Sequence, residues 1–379
     1  MYSPDFQITP QILKYISQIE AAKAIINTAP LLPLYERQFK TEATVRRVHF
    51  STAIEGNYLQ LSEVRQIIGA KTYDTSTVNT YVDEAGGEVI ARKRDIQEVI
   101  NYRDVVVFIE KTVSSSSDGN FALTEEIIFT IHKTILKNIL DNRAGTYRFE
   151  KAITVNFKTG EKLYPYEAAE NIHSKVEDLL SWYNSSETKI GSEPLGSRYN
   201  LASENNIHPV IKAALLHLEL VRIHPFEEGN GRLARALATL SLSVDGFDVN
   251  HFFCLDEYYD SNAGDYYDFL GKGFQSPTNW IEYFSLGMAI EFNRVKDRVL
   301  KISKDAKVKE KTGQMFISER QEKIIEWLNN YGMFKNSDFD ELFPDLSDDT
   351  VLRELKDLID ADVIKKTGKT KSAYYEFKN

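Results

Sequence analysis

At 379 residues the chain exceeds one ordinary domain core, so two or three folding units are expected. Hydrophobic residues at 42% and charged residues at 27% sit near globular averages, which argues against disordered, collagen-like and membrane-spanning classes. A net charge of -10 disfavours broad binding to nucleic acid, and the single cysteine, Cys254, excludes an intrachain disulfide or a cysteine-cluster metal site.

Met1 to Glu20 carries no export or anchoring pattern, so a cytoplasmic protein is expected. The first hundred residues read as helices broken at Pro30, Pro33 and a polar stretch from Asp74 to Thr80. Within them, Ser51-Thr52-Ala53-Ile54-Glu55-Gly56-Asn57 reads as a helix end, with Gly56 as a left-handed cap. Glu55 then lies in a last turn, where its charge opposes the helix dipole and calls for a cation. After the Ser-rich stretch Ser114 to Asn120, Thr124 caps a helix that begins at Glu125. Ile153-Thr154-Val155 and Lys162-Leu163, on either side of Lys158-Thr159-Gly160, predict a short hairpin. Helical periodicity returns from Tyr166 to Tyr183, and a polar connection from Gly191 to Asn206 leads to Pro209 at a helix start. Ile211, Leu215, Leu218 and Val221 line one face of that helix.

The helix must stop near His224, because Pro225 disfavours helical geometry in the residue before it. Gly229-Asn230-Gly231 then permits nest-like backbone and feeds a second helix, with Leu233, Leu237 and Leu240 on one side and Gly246 past its end. A glycine turn at a helix N-terminus binds anions, and Arg232 and Arg235 add two cations on one face. Glu228 is a hard oxygen ligand suited to Mg²⁺ beside phosphates. His224, mostly neutral at physiological pH, can accept a proton from a hydroxyl. His132, His217 and His251 fall among apolar neighbours and read as core residues without a role.

His224-Pro225-Phe226-Glu227-Glu228-Gly229-Asn230-Gly231-Arg232-Leu233-Ala234-Arg235 resembles the signature of the Fic family. At ~5% per position, eight fixed residues arise by chance on the order of 10⁻⁸ times in such a chain. The resemblance spans about Phe121 to Trp280, with Ala144-Gly145-Thr146-Tyr147-Arg148 similar to the family's approach to its hairpin. It implies transfer of AMP from Mg-ATP to a Tyr, Ser or Thr hydroxyl of a target protein and of the chain itself. His224 would be the base, supported by Asn230. Gly229, Asn230, Gly231, Arg232 and Arg235 would hold the phosphates, Glu228 would bind Mg²⁺, and Phe226 would be a buried anchor. Tyr258 through Tyr267 is similar to the adenine-side helix, with Tyr258 lining the base. Ile153, Thr154, Val155, Lys162 and Leu163 would form the flap that docks the target by strand addition. Ser51, Glu55 and Gly56 resemble the family's inhibitory motif, which implies that Glu55 pairs with Arg235.

Seven basic and three acidic residues from Lys296 to Lys311 read as an exposed helix or linker, and three helical patterns with a final hairpin follow. The expected fold is mainly α: a Fic-type helical core with a β-hairpin flap, an N-terminal helical arm and a C-terminal winged helix. Its expected divisions are 1–113, 114–295, 296–313 and 314–379. From Gln314 to Asn379 ten basic residues face fourteen acidic ones, and the third helix carries Asp348, Asp349, Glu354, Asp357 and Asp360. That leaves Lys365 to Lys371 as the only plausible contact with a DNA backbone, so protein contact or a homodimer fits at least as well. The readings left open are a DNA-binding regulator that senses a nucleotide, a different nucleotide donor, and removal of AMP.

Overall fold

Thr9 accepts a hydrogen bond from the Ile12 amide at 3.2 Å and Pro10 fills the first helical position, so α1 (Pro10–Thr28) starts where local chemistry dictates. The computed structural model describes residues 2–29, 33–69, 80–82, 88–116, 121–155, 162–185, 207–248, 252–312, 318–344, 346–368 and 373–378. Helices α2 (Pro33–Ala53) and α3 (Leu61–Gly69) follow α1. Next comes a small antiparallel pair, β1 (Thr80–Val82) with β2 (Glu88–Ile90), that the sequence reading did not anticipate. The long helix α4 (Lys93–Ser115) then crosses α2 and α3.

Thr124 caps α5 (Glu125–Leu136) through a 3.3 Å bond from the Ile127 amide, as expected. The hairpin is also present: β3 (Ile153–Val155) pairs antiparallel with β4 (Lys162–Pro165). Its turn at Lys158 to Gly160 lies outside the described residues, as do Gly191 to Asn206 and His251. After α6 (Ile172–Ser185) comes α7 (Pro209–Ile223), with Pro209 at its first position. One apolar face was expected on α7, but every residue from Pro209 to Leu220 is buried. The reason is tertiary: α6 and α7 pack together, and α8 (Asn230–Val244), α10 (Ala263–Gln275) and α11 (Pro277–Thr312) close over the remaining sides.

α9 (Leu255–Ser261) precedes α10, and α1 returns to pack along α11. Residues 296–312, read as an exposed helix or linker, are the last part of that one continuous helix. Beyond it lie α12 (Glu319–Tyr331), β5 (Phe334–Lys335), α13 (Phe339–Leu342), α14 (Asp348–Asp360), β6 (Ile364–Thr367) and β7 (Tyr374–Phe377). The three strands form an antiparallel sheet in the order β5-β7-β6 over a separate core that includes Leu328, Phe334, Leu355 and Phe377. Residues 369–371 of the basic stretch lie outside the described residues.

α2 is the bar that connects these parts. At one end Gln38 donates to the Lys378 carbonyl at 2.9 Å and Thr41 to the Asn329 carbonyl at 3.1 Å. A side chain on Gly69 of α3 would overlap the Tyr331 carbonyl, so the C-terminal unit sits tightly against the arm. Along its middle Glu42 pairs with Arg298, Arg46 with Glu257, and buried Arg47 with Asp248 at 3.1 Å. Its far end reaches the loop between α7 and α8, where Ser51 meets Arg235.

Candidate active site

α7 ends in a left-handed residue, His224, at φ 49 and ψ 61, with its amide still bonded to the Leu220 carbonyl at 2.9 Å. A non-glycine residue there costs about 1–2 kcal/mol and persists only where its surroundings hold it. The turn that follows is braced from within. The Asn230 side chain accepts from the Phe226 amide at 3.0 Å and donates to the Phe226 carbonyl at 2.7 Å. Gly229, at φ 83, leads directly into α8, so the free amides of that helix's first turn open onto the loop.

Beneath the loop, His132 of α5 stacks on fully buried Phe226 at 3.6 Å between ring centroids. The Gly145 amide donates to its Nδ1 at 2.8 Å, so Nε2 carries the proton and donates to the Glu228 carbonyl at 2.9 Å. Burial pushes His132 down to about 4, which keeps it in that neutral form. The sequence reading gave His132 no role. The signal that would have found it is tertiary, because nothing local links position 132 to 228.

Burial, and next to it the Arg148 guanidinium, push His224 down to about 4, so its imidazole is neutral and able to take a proton. Tyr166 stacks on the ring at 3.8 Å. The imidazole faces a cleft of ≈ 340 Å³ also lined by Arg148, Glu150, Lys151, Ala152 and Glu227.

The two arginines of α8 are almost wholly buried, each 2% exposed. Arg235 donates to the Ser51 hydroxyl at 3.1 Å, the Ser51 carbonyl at 2.9 Å and Glu55 Oε1 at 2.8 Å, and Asp256 lies 3.2 Å from its Nε. Burial opposes the Glu55 charge, but Arg235 and Arg232 hold its carboxyl below the usual range. Gly56 takes φ 89, so the left-handed cap read from the sequence is present. A Cβ on Gly231 would collide with the Glu55 carboxylate, which therefore lies in the glycine cradle itself. Arg232 lies 3.4 Å from Glu98 of α4 and 3.6 Å from Glu228, yet among the described residues its Nε and Nη1 have no hydrogen-bond partner. Those are buried donors that an anion would satisfy. Glu228 pairs with Arg94 of α4.

Residues 122–242 match the Fic/DOC family model. The chain carries a Fic domain. The adenylyltransferase Fic of Nematostella vectensis is 27% identical over 235 residues, covering 60% of this chain and 46% of that protein. The adenylyltransferase fic-1 of Caenorhabditis elegans is 26% identical over 213 residues, covering 56% of this chain and 34% of that protein. The chain thus spans less than half the length of either relative. A Fic family protein from Desulfovibrio desulfuricans G20 has the same overall fold, with a TM-score of 0.58 at 20% identity over 99% of this chain and 98% of that one.

The Fic domain contains the loop, the hairpin and both arginines, whereas Ser51, Glu55, Arg94 and Glu98 reach it from the arm that precedes it. Tyr258 is not brought to the loop. Its ring packs on Tyr283 at 5.3 Å and fills the slot left by the missing side chain of Gly287 on α11. Buried Tyr266 and the 43% exposed Tyr267 are instead aromatics whose hydroxyls feel both Glu55 and Arg235 after the larger effect of burial. They differ from Tyr258 because α9 and α10 are successive helices whose relative rotation no local pattern reveals.

Proposed function

We propose that this chain is a protein adenylyltransferase that moves AMP from Mg-ATP to a hydroxyl of a target protein and of itself, held back by Glu55. The reading rests chiefly on one observation: a carboxylate occupies an anion cradle built from the start of α8, Arg232 and Arg235, beside a neutral imidazole. The α- and β-phosphates would lie on Gly229 to Gly231, with the unmet donors of Arg232 toward their oxygens. A Tyr, Ser or Thr hydroxyl attacks the α-phosphorus. The new O–P bond forms as the bond to the β-phosphate oxygen breaks, His224 takes the hydroxyl proton, and pyrophosphate leaves.

Glu228 would hold magnesium, which offsets phosphate charge when bound. Among the described residues no group of three or more acidic, His or Cys side chains could hold a metal. A single carboxylate is nevertheless what magnesium takes when phosphates complete its shell. Asn230 acts by shaping the loop, since its side chain is committed to Phe226. Tyr267 is the better placed wall for the base. The β3–β4 hairpin would dock the target as an added strand. Glu55 competes with the terminal phosphate for Arg235, so ATP would bind with its α-phosphorus misaligned.

We read the C-terminal unit as a winged helix that contacts protein, because its acidic helix α14 would repel a DNA backbone. We take the chain to be a cytoplasmic protein; among the described residues no helix is long and apolar enough to cross a membrane. Intact mass after incubation with Mg-ATP tests the activity. Glu55→Gly should gain the mass of AMP at least about tenfold faster than wild type, and His224→Ala in that background should abolish the gain. A folded Glu55→Gly protein that neither binds nor transfers the nucleotide would overturn the reading.

A further inference from the structure

Arg148 is 3% exposed, and among the described residues its side chain's hydrogen-bond partners are all main-chain carbonyls. Nε donates to His224 at 2.6 Å, and Nη2 donates to Ile223 at 3.2 Å and to Glu167 at 2.5 Å. Nη1 donates to Glu150 at 2.7 Å. The Arg148 amide adds a bond to the Pro225 carbonyl at 2.9 Å. These acceptors belong to two structures. Ile223 and His224 are the last carbonyls of α7, which a helix leaves unsatisfied and whose negative dipole end favours a cation. Glu150 lies just before β3 and Glu167 just after β4, so they are the two roots of the hairpin.

We propose that Arg148 is the positioning residue of the His224 base, locking the imidazole and both hairpin roots into one frame. The inference rests on the adenylyltransferase reading above. In that reaction a hydroxyl laid along the hairpin must meet the ring within a few tenths of an ångström, and a misplacement of about 1 Å is worth roughly 100-fold in rate. The Glu167 amide adds a bond to the Arg222 carbonyl at 3.3 Å and Tyr166 stacks on the His224 ring, so the root after β4 is tied to α7 beside Arg148, which also takes in the root before β3. The His224 backbone is left-handed and its carbonyl is held by Arg148 while its ring is held by Tyr166, so the imidazole direction is fixed from both ends. The guanidinium is suited to this by its rigid fork of five donors, whereas an ammonium reaches fewer acceptors. The nearby cation also disfavours imidazolium, which keeps the base in its accepting form.

The test uses the full-length chain with Glu55→Gly as parent, and compares Arg148→Lys with Arg148→Gln. Arg148→Lys keeps the charge and loses the fork, so kcat should fall about 10-fold. Arg148→Gln loses both, and kcat should fall about 100-fold. KM for ATP should stay within about twofold in each, because Arg232, Arg235 and the glycine turn are untouched. Ring-proton NMR of His224, in the absence of metal and nucleotide, should show its titration moving up by about one unit in Arg148→Gln and staying low in Arg148→Lys. Unchanged kcat in folded Arg148→Lys would overturn the proposal, and so would a His224 titration that ignores Arg148→Gln. Parallel loss of kcat, ATP binding and cooperative melting in both variants would reduce Arg148 to a structural residue and overturn it too. If the parent transfers no AMP, the activity reading fails alone, and the NMR titration still decides whether Arg148 governs His224.

Discussion

The anion loop and the carboxylate that fills it are built in opposite ways. The loop is local: Asn230 reaches back four residues to Phe226, His224 bonds to Leu220, and a glycine at φ 83 opens the next helix. The plug is long-range, because Ser51 and Glu55 meet Arg235 across 184 and 180 positions. Glu55 is also 29% exposed on its side chain and lies just past the end of α2, where the dipole opposes it. The loop is therefore a fixed part of the fold, and the plug is a grip that can be loosened at small cost.

Asn230→Ala should break the loop and give the largest effect. It leaves a buried amide and a buried carbonyl of Phe226 unpaired, at about 1–3 kcal/mol each, so thermal melting should fall markedly and nucleotide uptake by calorimetry should vanish. If this variant melted no lower than Glu55→Gln, the contrast between the two regions would be wrong.

Acid should act next, and on the loop more than on the plug. His132 and His224 stay neutral in the folded chain down to about 4, and burial holds His217 well below its ordinary value. In the unfolded chain each takes a proton near 6.5. Between those values the unfolded state binds more of these protons, so the stability the three histidines carry is full above about pH 6.5 and lost as pH falls toward 4, while Glu291, raised to about 7 by burial, works in the opposite direction. Melting curves across that range check this, and a His132→Gln variant should flatten the slope. Glu55, held below the usual carboxylate range, keeps its charge over most of the window, so the plug itself should stay in place until lower pH.

A smaller change is expected from Gly69→Ala, which pushes the Tyr331 carbonyl away from α3. It should lower the melting of the C-terminal unit by about 1–3 kcal/mol and leave ATP affinity of the Glu55→Gly protein unaltered. The smallest effect on stability, about 1 kcal/mol or less, should come from Glu55→Gln, since Arg235 keeps Ser51 and Asp256. The same change should speed self-labelling severalfold, as mass spectrometry would register.

Much of the site could be read directly, because its chemistry is consecutive. Pro225 ends a helix, glycines permit the turn, and Arg232 and Arg235 share the face of the helix that follows. Thr124, Pro209 and Gly56 likewise announced their caps through interactions within a few residues. Arg148 enters only through a resemblance and His132 reads as core, since the His224, Ile223 and Glu228 carbonyls they reach lie 75 or more positions away. A run of aromatics from Tyr258 to Tyr267 does not say which helix face turns toward the loop, and it is Tyr266 and Tyr267 that lie near Glu55 and Arg235.

The amino-acid sequence alone determined the starts of α5 and α7, the helix stop near His224, the glycine turn from Gly229 to Gly231, and the kinds of group available for proton and phosphate chemistry. Caps, proline stops and left-handed glycines act over four residues or fewer, so they are written in order along the chain. Only the tertiary structure decided that α7 is enclosed on all sides and that Arg94 faces Glu228. It alone joined α2 to the C-terminal unit at one end, whereas the pairing of Glu55 with Arg235 at the other is one the resemblance implies. Those pairings depend on how helices distant in sequence cross and rotate against one another, and that is set by packing of the whole core rather than by any local run of residues.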